Sequence, residues 1–298
     1  MQGLYHLKDR HELSAIVNVG DDIELLGLRI SPDIDTVVYA LAGLVDEKRG
    51  WGLRGDTFNF MEMMKKLGST PYLALGDMDL ATHVYRSHDL KQGNTLDQVT
   101  RNIARRLGVE IEVMPVTNDR LITMVTLGRE DISFEEYFIK SRPYREPERV
   151  FFIGSSTARP LPMAIERIRD SDLVIFAPSN PVASLMPILA LKDVYVELAR
   201  TAAYRIAISP IIGGRTVKGP ADKMLRGCGF EASVTGVAKI YTGLIDGIVI
   251  DKDDISSVDE IKSLGLDCLV TNTVMKDQET KEKLAREVVE FASRMIST

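Results

Sequence analysis

Short apolar or β-branched runs recur along the chain, and each gives way to a polar, Gly- or Pro-rich loop. They are SAIVNV (Ser14–Val19), PYLAL (Pro71–Leu75), EIEVMPV (Glu110–Val116), RVFFIG (Arg149–Gly154), DLVIFA (Asp172–Ala177), YRIAIS (Tyr204–Ser209), DGIVID (Asp246–Asp251) and DCLVT (Asp267–Thr271). A continuous run such as LVIFA predicts a strand covered on both faces, as in a parallel sheet. Between the runs, apolar residues recur at helical spacing. Ile34, Val37, Val38, Leu41 and Val45 form one stripe, and Leu96, Val99, Ile103 and Leu107 a second. Met163, Ile165 and Ile168 start a third, and Leu284, Val288, Val289 and Phe291 a last one near the C-terminus. Strands alternating with helices predict an α/β fold built largely on a parallel sheet.

The middle, roughly residues 121–147, breaks the rhythm. It shows hairpin-like alternation followed by a charged, aromatic-bearing segment with two prolines. It predicts an inserted α+β subdomain or lid on a single domain spanning residues 1–298. The length of 298 residues is ample for a substantial core.

Composition narrows the function. A net charge of −6 argues against a nucleic-acid binder that works by phosphate neutralisation. The two cysteines, Cys228 and Cys268, lack metal-ligand spacing and fit a reducing cytoplasm. No run reaches the roughly 18 apolar residues of a membrane span, and MQGLYHLKDRHELS is not a signal peptide. The expectation is a cytoplasmic protein with small-molecule partners, touching neither nucleic acid nor membrane.

Ligands of open α/β sheets sit at the carboxyl ends of strands, so the loops there are the candidates. Gly20-Asp21-Asp22 follows the first run, and Gly76-Asp77-Met78-Asp79 the second. Pro178-Ser179-Asn180-Pro181 and Pro210–Lys223 follow two later ones. Asp33 and Asp35 lie in SPDID, a strong helix start with Ser31 as N-cap and Pro32 at the first helical position. Acids there complement the helix dipole by about 0.3–1 kcal/mol. Asp21 and Asp22 a few residues upstream open a second possibility, a hard cation held with a substrate phosphate. His83 reads as a base or as a helix-surface histidine. Asp77 and Asp79 read as turn and cap residues or as ligands of a polar heterocycle. Ser179 and Asn180 read as a capping turn or as nucleoside recognition. Gly213 and Gly214 permit close backbone approach, and Arg215, Lys218 and Lys223 offer charge to phosphates. Walker, serine-nucleophile and zinc motifs are absent.

Taken together, VNVGDD…GLRISPDIDTVVY, RGWGLRGDTFNF, LGDMDLATH, APSNPVASLMPIL, SPIIGGRTVKGPADKM and GVAKIYTGLIDGIVID resemble, in order and from about residue 12 onward, the 2-phospho-L-lactate transferase family of coenzyme F420 biosynthesis, including its phosphoenolpyruvate-using bacterial members. The resemblance implies a Rossmann-like three-layer fold and Mg²⁺ dependence. It also implies transfer of a 2-phospholactyl or enolpyruvyl-phosphate group from a guanosine diphosphate conjugate to the deazaflavin Fo, with GMP released. On the family pattern Asp21 and Asp35 are the metal and catalytic candidates, with Asp22 and Asp33 in support. Asp33, Asp35, Asp77, Asp79 and His83 would face Fo. Ser179, Asn180, Gly213, Gly214, Arg215 and Lys218 would hold the guanosine diphosphate. Relatives suggest a homodimer.

Two departures accompany the resemblance. Family members begin with a strand and a glycine-rich phosphate loop, whereas this chain starts inside the helix that would follow, so both are expected to be missing. Ala74 stands where some relatives carry a basic residue. The alternative is a non-catalytic nucleotide-sugar-binding regulator, as in the related gluconeogenesis-factor family; SPDIDTVVY and GDMDLATH speak for the transferases. Asp35→Asn is expected to abolish transfer and leave the fold intact, with a smaller loss for Asp33→Asn.

Overall fold

A computed structural model describes residues 1–7, 13–47, 49, 51–141 and 143–297. Parts of the expected N-terminal stretch (residues 8–12), Gly50 and Arg142 of the expected insertion lie outside the described residues. Strands β1 (Ser14–Val17), β4 (Glu112–Pro115), β8 (Leu173–Phe176), β9 (Tyr204–Ile208), β12 (Gly247–Asp251) and β13 (Asp267–Thr271) build the parallel framework. β1 pairs with β4, and β8, β9, β12 and β13 form a four-stranded sheet in the order β13-β12-β9-β8, all parallel. The α/β reading with a mostly parallel sheet therefore holds.

The period-2 alternation explains why these strands are apolar throughout. In β12, Ile248 and Ile250 enter the main core with Val17, Val113 and Phe176, while Val249 points the other way. There it meets Ile206 and Ile208 of β9 and the face Leu284, Val288 and Phe291 of the C-terminal helix Gln278–Ile296. All five β12 residues are buried. Each buried Val, Leu, Ile or Phe contributes about 1.5–3 kcal/mol, so covering both faces requires a continuous apolar run rather than an alternating one. No helix among the described residues is long and apolar enough to cross a membrane.

Two of the expected strands turn out otherwise. Pro71–Leu75 is not a strand; Leu75, with Tyr72 and Leu73, instead packs on Ile23 and Ile30. Those two residues belong to a hairpin the pattern did not reveal, β2 (Ile23–Leu25) with β3 (Leu28–Ile30). Its turn holds Leu26 at φ 55° and Gly27 at φ 72°. A two-residue hairpin turn wants positive φ at both positions, and Leu is rare there, so the usual Asn-Gly signal was missing. Arg149–Ile153 is a strand (β7), but it lies antiparallel to β5 (Ile122–Leu127), which also pairs with β6 (Glu130–Ser133).

Among the described residues up to Lys91 four helices form, and two of them line the site. α1 is Gln2–His6 and packs on the C-terminal helix. α2 runs Pro32–Leu41 with Ser31 at the N-cap and Pro32 first, as expected, and is followed by Gly43 at φ 70°, a left-handed stop. α3 is Asn59–Lys66. α4 runs Asp77–Lys91, and its first amides are capped from afar: Asp56 accepts from Met78 (2.8 Å) and Asp79 (3.1 Å). A Cβ at Gly76 would lie 2.0 Å from that Asp56 carboxylate, so only glycine fits. Beyond α5 (Leu96–Arg106), the middle segment supplies α6 (Phe134–Lys140), started by Ser133, whose hydroxyl accepts from the Glu136 amide.

Candidate active site

The loops at the carboxyl ends of the parallel strands, together with α2, α4 and α6, enclose a cavity of about 990 Å³. Asp21, Pro178 and Pro210 reach it from three strand ends, and Leu73–Leu75 line it without being a strand. Trp51, Tyr72, Phe138 and Tyr144 give it aromatic walls. Phe138 and Tyr144 are stacked, with ring centroids 5.8 Å apart.

The four acids of the opening segment separate into two kinds. Asp22 and Asp35 are committed to arginines. Asp22 takes the Arg29 guanidinium at 2.9 Å and the Ser31 hydroxyl at 2.8 Å. Ser31 thus occupies the N-cap position but spends its side chain on Asp22 rather than on the helix. Burial pushes the Asp22 carboxyl up to about 6 even so, against the pull of Arg29. Both oxygens of Asp35 are held by Arg86, one at 3.0 Å and the other closer still. Arg86 is 0% exposed. Burial alone would lower its pKa, but the Asp35 carboxylate raises it overall.

Among the described residues, Asp21 and Asp33 have no such partner. The turn carrying Asp21 is fixed by Asn18, which accepts from the Gly20 amide at 2.7 Å, and by the Gly20 carbonyl, which accepts from Thr123 N–H at 2.7 Å. A Cβ at Gly20 would come within 2.5 Å of the Thr123 hydroxyl, so a side chain there would open the turn. Asn18 also donates to Asp33 at 2.9 Å, tying the two loops together. Asp21 is 5% exposed, and its Oδ1 is buried with no hydrogen-bond partner among the described residues. Burial, then the charges of Asp33, Glu135 and Asp22, drive its carboxyl well above the usual range. Burial raises Asp33 as well. Glu135, from the first turn of α6, lines the same cavity; burial and Asp33 push it up to about 7.

A second polar wall comes from α2 and α4. His83 is 1% exposed, with Nδ1 3.6 Å from Asp35 and Nε2 3.4 Å from Asp79. It is therefore a buried wall residue rather than a surface histidine. The Tyr39 hydroxyl donates to Asp79 at 2.9 Å. Ligand-capable atoms of Asp35, Asp79 and His83 lie within 4.8 Å of one another. A cation there would face the Arg86 guanidinium, which grips Asp35 and lies 3.5 Å from His83 Nδ1. The positive charge already present makes this the poorer cation site. Asp77 lies outside the cavity. It accepts from Thr57 (2.5 Å) and the Phe60 amide (2.9 Å), which bring its carboxyl down to about 2 and staple the preceding loop to α4.

Of the loop residues singled out for the nucleotide, Asn180 and Lys218 line the cavity, and Ser179, Gly213, Gly214 and Arg215 do not. Asn180 caps the helical turn Pro181–Leu185, accepting from Val182 at 3.0 Å and Ala183 at 3.3 Å. The Gly213 amide donates to both oxygens of Asp254 at 3.1 Å, which anchors the hairpin β10 (Ile211–Ile212) to β11 (Arg215–Thr216). That hairpin presents Lys218 and Gly219 to the cavity, and Lys218 has no carboxylate partner among the described residues. Lys223 sits 3.9 Å from Glu146. Sequence reasoning missed Asn18, Arg86 and Glu135. The first two act across the fold, and Glu135 reads as an ordinary helix-start acid.

The chain matches a family described as 2-phospho-L-lactate transferase CofD over residues 1–292. It is 36% identical to a 2-phospho-L-lactate transferase of Methanocaldococcus jannaschii, over 99% of this chain and 94% of that one. It is 34% identical to a phosphoenolpyruvate transferase of Streptomyces griseus, over 99% and 95%. Among solved structures it resembles a UPF0052 family protein from Bacillus halodurans with a TM-score of 0.67, 14% identity and coverage of 97% and 93%. That last likeness speaks to the fold alone.

Proposed function

Since the chain belongs to the 2-phospho-L-lactate transferase family, we propose that it transfers a 2-phospholactyl or enolpyruvyl-phosphate group from a guanosine diphosphate conjugate to the primary hydroxyl of the deazaflavin Fo. The observation that carries this reading is one cavity combining aromatic walls with acids and a lysine that have no ion-pair partner among the described residues. A diphosphate needs charge neutralisation, and a flat tricycle needs rings to lie against.

In the reaction the acceptor oxygen forms a bond to the phosphorus carrying the lactyl or enolpyruvyl group. The bond from that phosphorus to the bridging oxygen breaks, GMP leaves with the electron pair, and the hydroxyl proton passes to solvent. Catalysis of this kind rests on positioning and electrostatics. Asp21 and Asp33 fit a divalent cation, since among the described residues Asp21 holds an orphaned buried carboxylate oxygen and neither acid has an arginine. Bound there, Mg²⁺ would neutralise the diphosphate. Lys218 would take a donor phosphate from the hairpin side. Asp79 and His83 would hold the polar edge of Fo, with Asp35 and Arg86 setting the orientation of His83 rather than meeting the cation. Trp51, Tyr72, Phe138 and Tyr144 would stack on the ring system.

The reading is tested by titrating the protein into Fo and following deazaflavin fluorescence. Saturable quenching, weakened at least tenfold by Asp79→Ala, is expected. Absence of any saturable change, with tight binding of a UDP-sugar instead, would overturn it in favour of the regulator alternative.

A further inference from the structure

Among the described residues, Asp22 and Asp35 each have an arginine, while Asp21, Asp33 and Glu135 have none. No lysine or arginine among the described residues figures with the groups that set the charge of these three. Among the described residues, no hydrogen bond or ion pair holds the Glu135 carboxylate, although Glu135 is only 8% exposed. Its helix neighbour Glu136 behaves as a surface acid should, pairing with Lys140 one turn on at 2.5 Å. Glu135 instead faces the cavity that Asp21 and Asp33 line. A long, flexible carboxylate buried without a partner costs free energy unless a cation meets it.

The placement is built by packing on both sides. α6 is fixed by its Ser133 cap and by the ring cluster Phe134, Tyr137, Phe138 and Tyr144. Asp33 is fixed by Asn18, and the Asp21 turn by Asn18 and Thr123. The loop after β1, the first turn of α2 and one helix of the antiparallel segment thus put three carboxylates on the lining of one cavity, and among the described residues the buried Asp21 Oδ1 has no hydrogen-bond partner.

We propose that Glu135 is the third carboxylate of the cation site, so that a bound divalent ion bridges the parallel framework and the inserted helix α6. This rests on the assignment of a cation to Asp21 and Asp33. A hard divalent ion prefers carboxylate oxygens, and three acids from two parts of the fold give it a ligand set that neither part provides alone. Ion binding then holds α6, with Phe138, in its place on the cavity wall, so that the helix opens less readily when the metal is present.

The test is Mn²⁺ binding to the full chain without nucleotide or Fo, by electron paramagnetic resonance of free Mn²⁺, with hydrogen exchange of α6 as the second readout. Wild type should bind Mn²⁺ and slow α6 exchange. Glu135→Gln should weaken binding at least tenfold and abolish the slowing, while its metal-free melting temperature equals or exceeds that of wild type. Should Glu135→Gln not fold, Glu135→Asp, which shortens the reach, should show the same loss. A folded Glu135 variant that binds within twofold of wild type, while Asp21→Asn does not bind, overturns the role of Glu135 and leaves the cation site standing. Failure of wild type to bind Mn²⁺, or unchanged binding in Asp21→Asn, overturns the cation site and this inference with it.

Discussion

Replacing Asp35 by asparagine removes one partner of a fully buried ion pair. As a first-turn helix acid, Asp35 would be worth about 0.3–1 kcal/mol through the helix dipole. The structure sets a larger scale. Both its oxygens hold Arg86, which is 0% exposed and, among the described residues, reaches no other carboxylate directly. Breaking a buried pair by deleting one partner costs about 3–5 kcal/mol, because the remaining charge is left uncompensated. Unfolding entropy of ~2.1 cal/mol/K per residue over 298 residues turns this into a fall in melting temperature of about 5–8 °C. Differential scanning calorimetry of wild type, Asp35→Asn, Arg86→Met and the double variant measures it directly. The double variant should recover at least half of the loss, since the unpaired charge is gone. A melting temperature for Asp35→Asn within about 1 °C of wild type would refute the reasoning. The expectation that this substitution spares the fold considered only the helix start, where Ser31 and Pro32 keep their positions although Ser31 gives its hydroxyl to Asp22. Loss of activity in Asp35→Asn is therefore to be read beside its stability.

Lys218→Ala should raise the KM for the guanosine diphosphate conjugate about fivefold, the worth of one exposed phosphate contact near 1 kcal/mol, with Fo affinity unchanged; the effect should shrink in high salt, and an unchanged KM at low salt removes Lys218 from the donor site. Burial pushes the thiols of Cys228 and Cys268 up to about 11, so less than about 1% is thiolate at pH 8. Both should react with a chromogenic disulfide roughly a hundredfold more slowly than free cysteine, and faster as pH rises toward 11; reaction at the free-cysteine rate in the native protein would contradict their burial.

How much was legible in the sequence depends on the range of the interaction. LVIFA, YRIAIS, DGIVID and DCLVT announced buried parallel strands because burial on both faces leaves a continuous apolar run, and β12 shows that burial residue by residue. SPDID announced a helix start because its signals are local. PYLAL misled because apolar content reports burial and not conformation: Leu75 is 1% exposed in a loop. The hairpin of β2 and β3 was hidden by Leu26 at a position where Asn or Gly would have signalled it. The roles of the four aspartates were not local either. Arg86 lies 51 positions from Asp35, and Glu135 more than a hundred from Asp21, so no spacing rule ties the first acid to a guanidinium or brings Glu135 to the cavity that Asp21 lines. The family resemblance supplied the chemistry in outline, and the geometry redistributed it among the acids.

The most direct measurement is turnover: protein, Fo and Mg²⁺ incubated with guanylylated 2-phospholactate or guanylylated phosphoenolpyruvate, with GMP and the deazaflavin product followed by liquid chromatography and mass spectrometry. The account predicts GMP and a phosphodiester-linked deazaflavin in equal amounts with at least one donor, lost on chelation of the metal and in Asp21→Asn. Release of GMP at the same rate without Fo, or no product from either donor while Fo is bound, would contradict it.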